Sequence, residues 1–149
     1  MDIEIKHYDE LTKDDLYAIL QLRAKVFVVE QNCPYVDPDG KDQEAWHVLM
    51  KRAGKLIGTA RIFPPDVYFK KHTSIGRVVV EKTFRKRSLG KELMRKSMEF
   101  LMEKFPEYPI AISAQKYLER FYEDLGFYTE GKEYLEDGIP HVKMIFQKK

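Results

Sequence analysis

TSIGRVVVEKTFRKRSLGKELMRKSMEFLME, residues Thr73–Glu103, holds a strand, a basic turn and a helix in direct succession. Ser74–Val80 is rich in β-branched residues and bounded by polar ones, the pattern of a buried strand. Leu89, Leu93, Ser97, Phe100 and Leu101 then recur at helical spacing and predict an amphipathic helix. Between them lie Arg85, Lys86, Arg87, Ser88, Leu89, Gly90 and Lys91. A turn entering a helix leaves several backbone N–H groups without partners, and the positive end of the helix dipole lies beside them. With small residues and cations added, such a turn suits a diphosphate.

The flanking sequence gives the rest of the architecture. Ile3–Tyr8 alternates like a first strand, and Thr12 with Asp15 has the spacing of a capping box. The helix that follows carries Leu16, Ile19, Leu20 and Phe27 on one side. Asn32–Gln43 is rich in Pro, Gly, Asp and Asn and reads as a loop. Trp46–Arg52 and Leu56–Phe63 form two strands around Ala53-Gly54-Lys55. After the opening segment come a short strand, Ile110–Ser113, and a helix, Lys116–Leu125, with Tyr117, Leu118, Phe121, Tyr122 and Leu125 on its apolar side. Gly126 is placed as its cap. Tyr128–Tyr134 and His141–Phe146 pair across Glu136-Asp137-Gly138. The order predicts an α/β chain: one domain over 1–149, with a mixed sheet and helices on its faces.

Composition narrows the function classes. Hydrophobic residues make up 44% and aromatics 13%, as in a globular protein. The 26 basic and 24 acidic residues leave a net charge of +2, too neutral to argue for nucleic acid. The N-terminus lacks the basic-then-apolar pattern of a signal peptide, and no apolar run approaches the ~20 residues of a membrane span. A single cysteine, Cys33, excludes an internal disulfide and suits a reducing compartment, so the expected location is cytoplasmic. The chain is expected as a monomer or homodimer, binding neither nucleic acid nor membrane. Asp37-Pro38-Asp39-Gly40-Lys41-Asp42 has the look of a calcium loop, but its Gly comes too early and no Glu stands at the twelfth position. No metal is expected.

Arg85-Lys86-Arg87-Ser88-Leu89-Gly90 resembles the Arg/Gln-x-x-Gly-x-Gly/Ala signature of the GNAT acetyltransferases. Ser88 stands where the first Gly is usual, at a steric cost if φ is positive. Its hydroxyl can serve a phosphate oxygen or the helix N-terminus. Phe121-Tyr122-Glu123-Asp124-Leu125-Gly126-Phe127 is similar to that family's closing element, and the strand–helix order is similar throughout. Leu22–Asp42, Ile75–Val80 and Tyr134–His141 resemble the ElaA-like branch of the family.

The resemblance implies a GNAT acyl-CoA N-acyltransferase fold, acetyl-CoA as cosubstrate and a primary amine, small molecule or peptide, as acceptor. It implies direct attack in a ternary complex. Val78, Val79 and Val80 would pair with the pantetheine arm, Arg85, Lys86, Arg87, Ser88, Leu89, Gly90 and Lys91 would take the pyrophosphate, and the Val80 N–H would polarise the thioester. Tyr122 falls where the family commonly places the acid that protonates the thiolate; phenol and thiolate are of similar basicity. Gln115 stands where many members carry a pantetheine-binding Asn. Gly76 inside a strand suggests a bulge that opens the cofactor slot.

The acceptor side is expected to involve Glu30, Gln31, Asp42 and His47, with the acidic Asp37–Glu44 loop drawing a cationic amine. His47, Glu30, Glu81 and His141 all stay open as general base, as does a chain of waters. Cys33 precedes Pro34 and has no nearby His in sequence, which argues against an acyl-cysteine route. Three other functions stay in view. Leu22–Phe27 resembles the Arg-x-x-Val-Phe element of acyl-homoserine-lactone synthases. A non-catalytic CoA sensor or partner-binding module would bind CoA without releasing thiol. Nucleic-acid binding through Lys82–Lys91 would be steeply salt-dependent.

Overall fold

The computed structural model describes residues 1–147, with Lys86 and Arg87 described in backbone only. In chain order it contains β1 (Asp2–His7), α1 (Lys13–Arg23), a π-helical segment (Ala24–Glu30), β2 (Trp46–Arg52), β3 (Lys55–Phe63) and β4 (Thr73–Val80). A 3-10 turn (Lys82–Arg87) leads to α2 (Leu89–Lys104), followed by β5 (Ile110–Gln115), α3 (Glu119–Glu123), β6 (Tyr128–Glu136) and β7 (Ile139–Phe146). The strands form one sheet in the order β1-β2-β3-β4-β5-β7-β6. Every neighbouring pair is antiparallel except β4 and β5. This is the mixed-sheet α/β fold expected from the sequence. No described helix is long and apolar enough to cross a membrane.

Helices cover both faces of the sheet. On one, Leu89, Leu93, Met94, Met98 and Leu101 of α2 pack on Val48, Met50, Ile57, Ala60, Ile62, Ile75 and Val80. Each such side chain contributes about 2 kcal/mol by leaving water. Gly58 lets α2 come close: a Cβ there would lie 3.1 Å from a Leu93 methyl carbon. On the other face Ile19, Leu22 and Val26 pack on Leu49, Leu56 and Val79. The buried side of α1 is therefore Ile19 and Leu22, with Leu16 and Leu20 only half-buried. The α-helical spacing fails beyond Arg23 because the chain widens there. Gln31 N–H reaches Val26 O, and Cys33 N–H reaches Val28 O, each five residues back.

Only half of the expected capping box forms at α1. Asp15 N–H donates to Thr12 Oγ1 at 3.0 Å, but the Asp15 carboxylate accepts from Lys51 Nζ at 2.9 Å instead of turning back to Thr12. The C-terminal hairpin is tighter than predicted, since pairing continues to Glu136↔Ile139. Asp137 (φ 51°) and Gly138 (φ 77°) make the turn, both in the left-handed region favoured by a two-residue hairpin. The predicted helix at Lys116–Leu125 divides into a 3-10 turn, Lys116–Leu118, and the short α3, leaving Tyr117 71% exposed.

Candidate active site

β4 and β5 pair only at Thr73↔Ile110 and Ser74↔Ala111, then separate. The cause lies in β4. Its register with β3 runs Gly76↔Arg61 and then Val79↔Thr59, so Arg77 and Val78 oppose Ala60 alone. This is a β-bulge. It sits one residue later than the sequence suggests: the left-handed residue is Arg77 (φ 47°), while Gly76 has no positive φ. Beyond the bulge, β4 bends away and a cleft of 580 Å³ opens between it and β5.

The free edge of β4 faces this cleft. Glu81 N–H donates to Ile57 O of β3 at 2.8 Å. By strand alternation the N–H and C=O of Val80 turn to the opposite edge. Arg85 reports the same orientation, its Nε donating to Val80 O at 3.0 Å. Val78, Val79 and Val80 all line the cleft while their side chains pack into the two cores.

Ser88 (φ 57°, ψ 23°) takes the left-handed conformation that the Gly of the signature accommodates without strain. Its side chain makes no capping hydrogen bond to α2. The first N–H groups of that helix, which have no partners within it, therefore receive no cap from Ser88. Ser88, Gly90 and Lys91 line the end of the cleft, whereas Leu89, expected beside them, is buried in the core and does not line it. The side chains of Lys86 and Arg87, expected in the cradle, lie outside the described residues.

The remaining walls carry the side-chain chemistry. Tyr122 of α3 lines the cleft between the rings of Phe121 and Phe127, at centroid distances of 5.0 and 6.1 Å. Burial pushes its phenol up to about 12, so it is a proton donor throughout the physiological range. Glu30 is held by a two-pronged bond from the Arg85 guanidinium, which also keeps its carboxyl below the usual range. Gln31 and Gln115 exchange amide hydrogen bonds at 3.2 and 3.4 Å, joining the π-helical segment to β5. His141 lines the same cleft from β7, with Glu136 and Asp137 beside it.

Comparison with known proteins agrees with this architecture. The family model for the acetyltransferase (GNAT) domain matches residues 24–148. The chain belongs to the GNAT acetyltransferase family. It is 42% identical over 140 residues to Protein ElaA of Escherichia coli, covering 93% of this chain and 91% of that one. The crystal structure of E. coli ElaA superposes with a TM-score of 0.91 at 39% identity, over 98% of this chain and 99% of that one. An acyl-CoA N-acyltransferase from Pseudomonas aeruginosa superposes with a TM-score of 0.90 at 38% identity, over 98% and 99%. A CoA-dependent acyl-homoserine lactone synthase, BjaI, shares the fold at 17% identity, with a TM-score of 0.78 over 96% of this chain and 81% of that one. The chain is thus an acyltransferase of the ElaA-like branch, and its family uses an acyl-CoA donor.

Within this GNAT framework two of the residues expected at the acceptor side lie elsewhere. Asp42 and His47 do not line the cleft. Asp42 is buried against Arg23 Nη1 at 2.8 Å and Arg61 Nη1 at 3.0 Å. His47 is 1% exposed and its Nε2 sits 3.0 Å from Asp42 O, which makes that nitrogen the donor. Burial lowers its proton affinity further. The other two aspartates of the loop are also engaged. Asp37 accepts from Arg23 Nε at 2.7 Å and Arg77 Nε at 2.8 Å, and Asp39 accepts from Arg61 at 2.8 and 3.0 Å. Three arginines thus neutralise the three aspartates of this loop. Glu81 also turns away, bound to Lys25 and Thr83 outside the cleft. Sequence reasoning missed Ser113, Glu136 and Arg77 as cleft residues; the signal for Arg77 was its place next to a strand glycine.

Proposed function

We propose that this protein transfers acetyl from acetyl-CoA to a primary amine by direct attack in a ternary complex. The observation that carries this reading is the free backbone edge of β4, opened by the bulge at Arg77 and ending beside the uncapped start of α2. An extended amide-containing arm fits an unpaired strand edge, as an added strand does. A diphosphate fits the N–H groups of Ser88, Leu89, Gly90 and Lys91, where the helix dipole is positive. Acetyl-CoA supplies the thioester carbonyl that the amine attacks. Val80 N–H, aimed into the cleft, is the donor that would polarise it. Tyr122, whose phenol stays protonated, is the acid for the departing sulfur.

The test is thiol release from acetyl-CoA across polyamines, amino acids, aminoglycosides and peptides. Tyr122→Phe is expected to lower turnover at least severalfold and leave acetyl-CoA affinity nearly unchanged. Unaltered kinetics would remove the acid role. Thermal stabilisation by CoA is measured alongside: a micromolar Kd at millimolar ligand corresponds to about 4 kcal/mol. Stabilisation with no thiol release from any amine would identify a CoA sensor instead.

A further inference from the structure

The cleft contains one imidazole among its described residues, and its hydrogen bonds fix how it holds protons. His141 Nδ1 lies 2.7 Å from Ile139 O. A carbonyl oxygen only accepts, so Nδ1 carries a hydrogen and the lone pair of the neutral ring falls on Nε2. That nitrogen sits 3.3 Å from Glu136 Oε2. A lone pair and a carboxylate side by side at this separation repel, and a cation that binds to both relieves the repulsion. Glu136 is oriented in turn: Ser113 Oγ donates to its Oε1 at 3.2 Å, and Tyr134 hydroxyl hydrogen-bonds Ser113 Oγ. The Tyr134 ring stacks on His141 at 6.1 Å. The groups facing His141 are thus Glu136 and Tyr134 from β6 and its register partner Gln115 from β5, with Asp137 nearby in the turn.

We infer that His141 and Glu136 bind the acceptor amine as its ammonium ion and that His141 Nε2 takes its proton. The inference rests on the acetyl transfer proposed above and names the acceptor class: a basic alkylamine, charged in solution. Glu30, also in the cleft, fits this role less well, since it is already bound by Arg85. Glu136 attracts the ammonium and then stabilises the imidazolium, while the Nδ1 bond keeps Nε2 pointed at the amine. One proton of R–NH3+ passes to Nε2. The freed nitrogen lone pair attacks the thioester carbon, so a C–N bond forms and the C–S bond breaks. The sulfur takes a proton from Tyr122, which recovers one from the nitrogen as the amide forms. His141 returns its proton to water.

The experiment compares two amines near pH 7.5: ethylamine, which is protonated there, and 2,2,2-trifluoroethylamine, which is largely neutral. Thiol release from acetyl-CoA is followed for wild type, His141→Gln and Glu136→Gln. His141→Gln is expected to lose about 100-fold with ethylamine and less than about threefold with trifluoroethylamine. Equal losses for both amines, or none, would overturn the inference. Nitrogen-15 spectra of the imidazole give a second readout that needs no turnover. Neutral His141 should carry its hydrogen on Nδ1, and ethylammonium chloride should shift Nε2 in wild type but not in Glu136→Gln. A hydrogen on Nε2, or no ammonium-dependent shift, also refutes it. Thermal stabilisation by CoA reports separately on the transfer reading, so the two can fail independently.

Discussion

Two acidic segments border the same cleft region and differ in how their charge is used. In the loop, Asp37, Asp39 and Asp42 are each bound by arginines, and Asp37 and Asp42 are almost fully buried. At the hairpin end, Glu136 has a serine hydroxyl and an imidazole as partners, and its side chain is 36% exposed. One segment is a scaffold with balanced charge; the other presents carboxylate to solvent and substrate. Acidity in a sequence thus says little about electrostatic steering until the counter-charges are located.

The largest test of this contrast is Arg23→Ala. Arg23 is 1% exposed and bridges Asp37 and Asp42, so its removal leaves two buried carboxylates short of a partner. A loss of about 3–5 kcal/mol is expected from the shift in urea midpoint. Acid should act on the same scaffold. Arg61 holds the Asp39 carboxyl down to about 2 against its burial, and Arg23 and Arg61 hold Asp42 below the usual range. Both are depressed carboxylates, so their stabilisation is complete above the unfolded value and lost as pH falls through the folded one. Unfolding free energy measured against pH should therefore decline from about pH 4 to about pH 2. A flat profile across that window would mean that the arginines contribute no net stability there. The smallest effect belongs to Glu136→Gln, expected to change stability by less than ~1 kcal/mol, since the Glu136 side chain is 36% exposed. A loss as large as that of Arg23→Ala would erase the distinction between the segments.

The fold was legible because strand alternation, helical spacing and Gly or Pro punctuation are local signals. The turn before α2 was legible for the same reason: a small polar residue ahead of an apolar-periodic stretch marks a helix entry, and Ser88 does occupy the left-handed region. Asp42 and His47 were misplaced at the acceptor side because their partners are distant in sequence. Arg23 and Arg61 are each 19 residues from Asp42, and nothing local reveals which carboxylate will be engaged. Glu136 and His141 meet for a different reason. The hairpin register puts Tyr134 opposite His141, and the two-residue turn carries Glu136 back beside it. A turn read three residues long hides that encounter.

The bulge at Arg77 has one more consequence, for the parity of the strand. In a regular strand Ile75 and Val80, five residues apart, would point to opposite faces. Here both enter the core beneath α2, and Val79 enters the one beneath α1. The inserted residue resets the odd–even frame midway, so the two halves of β4 obey different counting rules while serving the same core. Deleting Arg77 would leave Ile75 and Val80 four positions apart, so a regular strand would keep both on the same core but lose the bend that separates it from β5.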